Sequence, residues 1–276
     1  MSLKVHHLNC GTMCPACERL VSGHGSWSRP GKLVCHCLLL ETPDCLVLVD
    51  TGMGLQDIAE PRRRLGLTYP PLFKPLLALE ETAIQQIRAL GLDPRDVRHI
   101  ITTHLDLDHA GGLSDFPWAQ VHVLEPELKQ IQQPGLREHL RFRLPQFKHR
   151  PNWVVHPERG ESWFGLDSIQ AIAELRDQVL LVPLIGHTKG HTGVAVNTDS
   201  GWLLHCGDAY YHHSELTASP NTPGFLKFFE VLIQAKPAAR IANIKRLRQL
   251  AANHSGEIEL FCAHDPVELA RYHRPQ

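Results

Sequence analysis

Six consecutive residues hold the densest set of metal-binding side chains in the chain, the run His104-Leu105-Asp106-Leu107-Asp108-His109. A strand predicted over 97–102 leads directly into this run, so its four polar side chains stand on a loop that leaves a strand. Imidazoles and carboxylates this close would stay unsatisfied in a protein interior unless a cation held them. A metal ion coordinates neutral His and ionised Asp, and the run therefore predicts a metal site.

Three further candidate ligands follow predicted strands later in the chain. His187 lies in Gly186-His187-Thr188-Lys189-Gly190-His191, where the glycines allow the backbone to turn sharply after the apolar strand 178–185. Asp208 ends the apolar run that starts at Leu203, and His264 follows Leu260-Phe261-Cys262-Ala263 in the same manner. A carboxylate after an apolar strand is out of place unless it is paired or ligating. The candidate ligands are therefore His104, Asp106, Asp108, His109, His187, Asp208 and His264.

Length and composition predict one globular α/β domain over residues 1–276, with 43% hydrophobic and 21% charged residues. The formal net charge of −1 argues against nucleic acid as the partner. Neither a basic and apolar leader nor a run of about 18 apolar residues occurs, so we expect a soluble, cytoplasmic protein with no membrane partner. Without such a leader, the eight cysteines are expected to be free thiols.

The elements that must position these residues follow from apolar runs and turn signals. Helices are expected over 80–90 and 237–253, and the stretch 126–150 could form a helical lid. Strands are expected over 3–9, 33–41, 45–51, 97–102, 120–124, 169–174, 178–185, 193–197, 202–206 and 257–262. This order suggests two sheets faced by helices, with functional residues on loops at the sheet ends.

Four separated motifs together resemble the metallo-β-lactamase superfamily: H-x-D-x-D-H-A-G-G, G-H-T-x-G-H, G-D and a late A-H-D, in this order. The resemblance covers nearly the whole chain, because Asp50-Thr51-Gly52 also matches the family's early strand-end motif, whose Asp supports the metal ligands. It implies an αββα sandwich of two mixed β-sheets flanked by helices. The segments CGTM, PGKLVCHCLLLE before LVLVDTG, and GDAYY are most similar to the N-acyl-homoserine-lactone lactonases.

The resemblance also implies a two-metal site. It assigns His104, Asp106 and His187 to one ion, Asp108, His109 and His264 to the other, and Asp208 as a bridge between them. His191 is left with a structural role, hydrogen bonding a loop. Two divalent ions are expected, with zinc as the first choice. Relatives usually have His where this chain has Asp106, and the carboxylate there makes iron or manganese the alternatives.

On this resemblance we expect a metal-dependent hydrolase that opens a lactone or related ester by attack of a metal-bridging hydroxide. Asp108 would accept and return the proton. Tyr211 is the candidate oxyanion donor, with Tyr210 and an ordinary packed tyrosine as the alternatives. The substrate is expected to be a small molecule with an apolar acyl portion. Segments 69–79, 225–233 and 142–153 could wall its cleft, or equally form core or the contact of a homodimer.

Other functions remain open at this point. A thioester or phosphodiester hydrolase of the same fold would fit the ligands. A di-iron redox enzyme is favoured only by Asp106, since flavodiiron proteins also carry a carboxylate there, and it would need a flavin domain. A non-catalytic binding protein usually loses ligands, whereas all seven positions here hold competent types.

The N-terminal cysteines form a second, weaker pattern, C-x-x-x-C-x-x-C, at Cys10, Cys14 and Cys17. This spacing also holds iron–sulfur clusters in radical enzymes, but those enzymes use a different barrel. A structural zinc on Cys14 and Cys17 would need a further ligand to complete a tetrahedral site. Cys35 and Cys37 share one face of a predicted strand and are expected to be core.

Overall fold

The computed structural model describes residues 3–175 and 177–273. The domain expected over 1–276 includes residues 1–2, 176 and 274–276, which lie outside the described residues. Strands within them are β1 Lys4–Met13, β2 Leu33–Glu41, β3 Leu46–Val49, β4 Val97–Ile101, β5 Gln120–Leu124, β6 Asn152–His156, β7 Glu161–Trp163, β8 Leu166–Gln170, β9 Val179–Pro183, β10 Thr192–Thr198, β11 Gly201–His205 and β12 Ile258–Phe261.

Helices connect and cover these strands. The α-helices are α1 Glu18–Ser22, α2 Leu55–Ala59, α3 Pro61–Leu65, α4 Tyr69–Phe73, α5 Ala83–Ala89, α6 Glu125–Gln132, α7 Leu136–Arg141, α8 Gly224–Ile233, α9 Pro237–Asn253 and α10 Pro266–Leu269. Short 3₁₀ segments lie at Leu79–Glu81, Pro94–Asp96, Gly111–Asp115, Leu144–Phe147, Ala173–Leu175 and His213–Leu216.

The strands form two mixed sheets. In the first, the order is β1-β2-β3-β4-β5-β6, antiparallel from β1 to β3 and parallel from β3 to β6. In the second, the order is β12-β11-β10-β9-β8-β7, and only the β11–β12 pair is parallel. The expected αββα sandwich of two mixed sheets is confirmed.

Three apolar layers hold the sandwich together. The layer between the sheets takes alternate side chains from both, including Leu38, Leu40, Val47, Val49, Val194 and Val196. Outside the first sheet, α5 buries Ile84 and Ile87. Outside the second sheet, α9 buries Ile244 and Leu247. Alternation along each strand lets one face meet the other sheet while the opposite face meets a helix.

Several predicted elements were correct to the residue, and others were not. Strand β2 and helix α9 have the expected bounds. The helix expected over 80–90 is divided, because extended Thr82 separates the 3₁₀ turn at Leu79–Glu81 from α5. The stretch 126–150 contains helix α7 and nearly all of α6, as its helical expectation required. Strands β6 and β7 and helix α8 were not predicted. No helix in the described ranges is both long and apolar enough to span a bilayer.

One buried carboxylate ties the ends of two strands together. Glu268 of α10 accepts hydrogen bonds from the backbone N–H of Cys262, at 2.8 Å, and from the Tyr210 hydroxyl, at 3.1 Å. It therefore fixes the loop after β11 to the chain that leaves β12. Burial raises the pKa of Glu268 to about 7.

We predict that this carboxylate makes stability fall as pH rises. A folded-state pKa of about 7, above the ordinary 4.5, gives a contribution fully present below pH 4.5 and lost as pH rises through 7. The variant Glu268→Gln has no ionisable group at this position. Between pH 4.5 and 7, its free energy of unfolding minus that of the wild type should therefore rise by about 3 kcal/mol. Urea unfolding at a series of pH values, with zinc held constant, measures the difference.

The matched control is Glu161→Gln, because Glu161 is exposed on β7. Its stability difference from the wild type should not change between pH 4.5 and 7. A pH-independent difference for Glu268→Gln as well would contradict the prediction.

Candidate metal centre

The loop after β4 is fixed by Asp50, the residue that follows β3. Asp50 adopts a left-handed backbone with φ of 56°, which Asp tolerates better than most residues. Its carboxylate accepts hydrogen bonds from the Thr103 N–H and hydroxyl, both at 2.7 Å, and from His109 Nδ1 at 2.8 Å. The early Asp expected to support the ligands therefore contacts one of them directly.

The hydrogen bonds at Nδ1 set the tautomers of three histidines. His109 Nδ1 donates to Asp50, and His264 Nδ1 donates to the Val34 carbonyl at 2.7 Å. His104 Nδ1 lies 3.0 Å from the Thr103 hydroxyl, whose own proton goes to Asp50, so the imidazole is the donor. A neutral imidazole that donates through Nδ1 presents a lone pair at Nε2. Three such lone pairs therefore face one space.

The carboxylate of Asp208 occupies the centre of that space. Its Oδ1 lies 3.2 Å from His109 Nε2 and 3.1 Å from His264 Nε2. Its Oδ2 lies 3.8 Å from His104 Nε2 and 3.4 Å from His187 Nε2. Burial alone would raise the pKa of Asp208, but the four imidazoles hold it well below its usual value. Each carboxylate oxygen thus faces its own pair of histidines.

These residues fit divalent metal ions. His104 Nε2 and Asp208 Oδ1 are buried with no hydrogen-bond partner in the structure, a costly arrangement that a cation would relieve. Burial lowers the pKa of His109 and of His264, but Asp208 raises both above their usual values, so the site attracts positive charge. Two groups of ligand atoms lie within 4.8 Å of one another and share Asp208: His104, His187 and Asp208, and His109, Asp208 and His264.

Asp108 lies beside the second of these groups. Its Oδ2 is 3.8 Å from His264 Nε2 and accepts a hydrogen bond of 3.2 Å from the Tyr69 hydroxyl. Cys35 belongs to the apolar cluster around the cleft, as expected for a core residue, but its sulfur also comes within 4.8 Å of Asp108 and His264 ligand atoms. Neither Tyr69 nor Cys35 was predicted to lie beside the centre, since Tyr69 belongs to no motif and Cys35 was expected to be core.

Asp106 lies beside the first group, held by an arginine that the sequence did not reveal. The Arg141 guanidinium, at the end of α7, donates to Asp106 Oδ1 at 2.7 Å and to Oδ2 at 2.5 Å. Asp106 Oδ2 also lies 3.3 Å from His104 Nε2 and 2.9 Å from His187 Nε2. Burial would raise the pKa of Asp106, but the guanidinium holds it well below its usual range.

Glu127 of α6 joins the two loops that carry the first group. This buried carboxylate accepts hydrogen bonds from the Leu105 N–H at 3.0 Å, the Thr188 hydroxyl at 2.5 Å and the Gly190 N–H at 3.0 Å. A Cβ at Gly190 would lie 2.2 Å from the Glu127 nitrogen, so the close approach requires glycine. No local motif indicated this role of Glu127.

His191 supports Asp208 from behind. Its Nδ1 donates to the Leu184 carbonyl at 3.0 Å, and its Nε2 accepts from the Asp208 N–H at 2.9 Å. A Cβ at Gly207 would lie 2.6 Å from that same Nε2. The structural role expected of His191 is confirmed.

Of the two neighbouring tyrosines, Tyr211 reaches the centre. Its hydroxyl donates to Asp208 Oδ2 at 2.9 Å and lies 3.3 Å from His187 Nδ1. Its ring stacks on His264, with centroids 5.5 Å apart. Tyr210 is fully buried and bonded to Glu268, away from the ligands.

A cleft of about 550 Å³ opens onto Asp106, Asp108 and Asp208. Two of the segments expected to wall it do so, through α4 and α8, whereas the third contributes only Arg143. In that third segment Phe142, Phe147 and Trp153 pack into the core outside the first sheet. The apolar lining includes Leu33, Leu72, Phe73, Leu226, Phe229 and Ile233.

The N-terminal cysteines take no part in any group of potential metal ligands found among the described residues. Cys10 is buried in the core, and Cys14 and Cys17 are half-buried free thiols.

Comparison with known proteins identifies the family. Residues 30–252 match the family model described as the metallo-beta-lactamase superfamily. The chain belongs to this superfamily. A relative named a probable metallo-hydrolase, from Mycobacterium tuberculosis, is 42% identical over 272 residues, which cover 98% of this chain and 83% of the relative. The chain is thus a metal-dependent hydrolase of the metallo-β-lactamase superfamily.

Further relatives are named lactonases. An N-acyl homoserine lactonase of Rhizobium johnstonii is 32% identical over 248 residues, which cover 85% of this chain and 82% of the relative. A solved N-acyl homoserine lactone hydrolase with N-hexanoyl-L-homoserine at its catalytic metal centre superposes with a TM-score of 0.71. That pair is 22% identical and covers 98% of this chain and 97% of the other, which shows a shared fold.

We predict that Asp50→Asn weakens metal binding. The amide cannot accept every hydrogen bond that the carboxylate accepts, so His109 loses the partner that fixes its tautomer and ring orientation. Zinc affinity should fall by about 10- to 100-fold, measured by competition with a chelator. The control is Asp44→Asn in the exposed turn before β3, which should bind zinc as the wild type does. Equal affinity for Asp50→Asn would refute the role given to Asp50.

Proposed function

We propose that this hydrolase opens lactones, or closely related esters, that carry an apolar acyl portion. The observation that carries the proposal is the position of the apolar cleft, which ends at Asp108, Asp208 and Tyr211. A ligand that filled the cleft with its acyl portion would place a polar head among these side chains. The relatives named N-acyl homoserine lactonases support this substrate class.

We assign His104, Asp106 and His187 to one metal ion, Asp108, His109 and His264 to a second, and Asp208 to both. The two groups of ligand atoms that share Asp208 support this assignment. When bound, such ions activate water for attack and polarise the scissile carbonyl. Zinc suits the imidazole-rich donor set, and the carboxylates also suit iron or manganese. A dizinc quorum-quenching lactonase has the same fold, with a TM-score of 0.60.

Tyr211 is the proposed oxyanion donor. Its hydroxyl lines the cleft and stays within 2.9 Å of Asp208, so a small rotation would turn its proton toward a substrate carbonyl oxygen. A donor already held in place loses little entropy when charge develops on that oxygen.

Asp108 is the proposed proton acceptor. It lines the cleft, and the Tyr69 hydroxyl at 3.2 Å fixes the orientation of its carboxylate. After accepting a proton during attack, it would return that proton to the leaving alkoxide.

The other activities are distinguishable by chemistry. A phosphodiesterase acting on nucleic acid would be favoured by a basic surface, whereas the net charge is −1. A di-iron redox function was suggested only by Asp106, and the ion pair with Arg141 offers a different reason for a carboxylate there.

We predict rapid hydrolysis of an acylated lactone, and its loss in His109→Ala. Turnover of a lactone, a linear ester, a thioester and a phosphodiester should be compared on zinc-loaded protein. Removing His109 takes one ligand from the proposed centre, so activity should fall by about 100-fold or more. The control is His139→Ala, because His139 is exposed on α7. A phosphodiester or thioester preferred over the lactone would overturn the substrate assignment.

We further predict that Tyr211→Phe lowers kcat for the lactone by about 100-fold, the usual effect of removing one oxyanion donor. Because the hydroxyl also donates to Asp208, kcat should be compared on zinc-saturated proteins whose metal content is measured alongside. The neighbouring variant Tyr210→Phe, which also loses one buried hydroxyl, should retain the wild-type kcat. If both variants kept full kcat, Tyr211 would be an ordinary packed residue.

A further inference from the structure

Arg141 is a fixed cation inside the proposed metal centre. Its guanidinium forms a two-bond fork with Asp106, at 2.7 and 2.5 Å. Its Nη1 donates to the His187 carbonyl at 3.0 Å and to the Ile233 carbonyl at 2.7 Å. Only 11% of the side chain is exposed. A planar guanidinium with so many acceptors is held in one orientation.

The same guanidinium also contacts a ligand nitrogen. Arg141 Nη2 lies 2.7 Å from His187 Nε2. Because His187 Nδ1 faces the Tyr211 hydroxyl, whose own proton goes to Asp208, the imidazole donates there and keeps a lone pair at Nε2. Arg141 therefore donates a hydrogen bond to the lone pair that a metal ion would use.

A metal ion and this nitrogen would compete for one position. Zinc sits about 2.1 Å from an imidazole nitrogen or a carboxylate oxygen. Arg141 Nη2 already lies within 2.5 Å of Asp106 Oδ2 and 2.7 Å of His187 Nε2, two atoms assigned to the same ion. Two cations this close repel each other strongly in a buried site. The guanidinium must withdraw before an ion can bind both atoms, and the cleft that it lines gives it room.

Around the second group of proposed ligands, no described arginine or lysine occupies a metal position in this way. His109, His264 and Asp208 Oδ1 face one another at 3.1 to 3.3 Å. Among the described residues, neither Asp208 nor Asp108 forms an ion pair with a lysine or arginine. The two halves of the centre therefore differ in what a metal ion must displace.

We propose that the Arg141 guanidinium occupies the position of one metal ion. The His109–His264–Asp208 subsite therefore binds its ion first. The His104–Asp106–His187 subsite binds an ion only when Arg141 withdraws. Asp106 fits this role, because a carboxylate pairs with a guanidinium through two hydrogen bonds, whereas an imidazole cannot. Arg141 is thus a positioning residue. The proposal rests on the metal site proposed above and is independent of the lactone as substrate.

The test is a zinc titration of metal-free, full-length protein, with affinities measured by competition against a chromophoric chelator. In the wild type, we expect one ion to bind at least about tenfold more tightly than the second. In Arg141→Gln, the weaker affinity should rise by about tenfold or more while the stronger one stays unchanged. Equal affinities in the wild type, or an unchanged weaker affinity in Arg141→Gln, would overturn the proposal.

Two further variants keep the result decisive. Arg137→Gln removes an arginine from the same helix whose guanidinium donates to the Leu232 and Gln234 carbonyls, at 2.9 and 2.8 Å, and should leave both affinities unchanged. Arg141→Lys keeps the charge but not the fork, so its weaker affinity should lie between those of the wild type and Arg141→Gln. If Arg141→Gln does not fold, Arg141→Lys decides, and an affinity no higher than in the wild type overturns the proposal.

No substrate enters this experiment. Equal zinc affinities together with lactone hydrolysis would overturn the role of Arg141 alone. Unequal affinities without lactone hydrolysis would overturn the substrate assignment alone.

Discussion

The buried carboxylate of Asp208 is the group around which the rest of the centre is arranged. It is only 4% exposed, and four imidazoles from three different loops lie within 3.8 Å of it. Those loops follow β4, β9 and β12, with Asp208 itself following β11, so all ligands converge at one edge of the sandwich. An ionised carboxylate in such a place needs compensating positive charge. The two sheets, whose strand ends meet at this edge, make that convergence possible.

The candidate ligands that the structure brings together could be selected from the sequence because each follows an apolar strand and belongs to a short local motif. The residues that orient them were not. Arg141 is 35 residues from Asp106, Tyr69 is 39 residues from Asp108, and Glu127 is 22 residues from Leu105. These contacts depend on how helices α4, α6 and α7 pack over the sheets. No local pattern encodes that packing.

The missed elements have physical explanations of the same kind. Helix α8 was not predicted, because Phe228, Val231 and Leu232 are exposed and obscure the polar face that marks an amphipathic helix. Strand β6 lies at the edge of its sheet and is only partly buried, so its alternation is weak. In contrast, β2 is buried almost throughout, and its continuous apolar run marked both ends.

Glu127 has a consequence for the order in which the protein matures. By bonding to Leu105, Thr188 and Gly190, it joins the two loops that carry proposed ligands through hydrogen bonds in which no ion takes part. In small zinc modules, by contrast, the metal organises an otherwise unfolded chain. Here the chain itself forms the hydrogen bonds that join these loops, so the entropy cost of arranging them falls on folding. Loss of a bound ion would leave these hydrogen bonds in place, and the loops would not have to fold again when an ion returned.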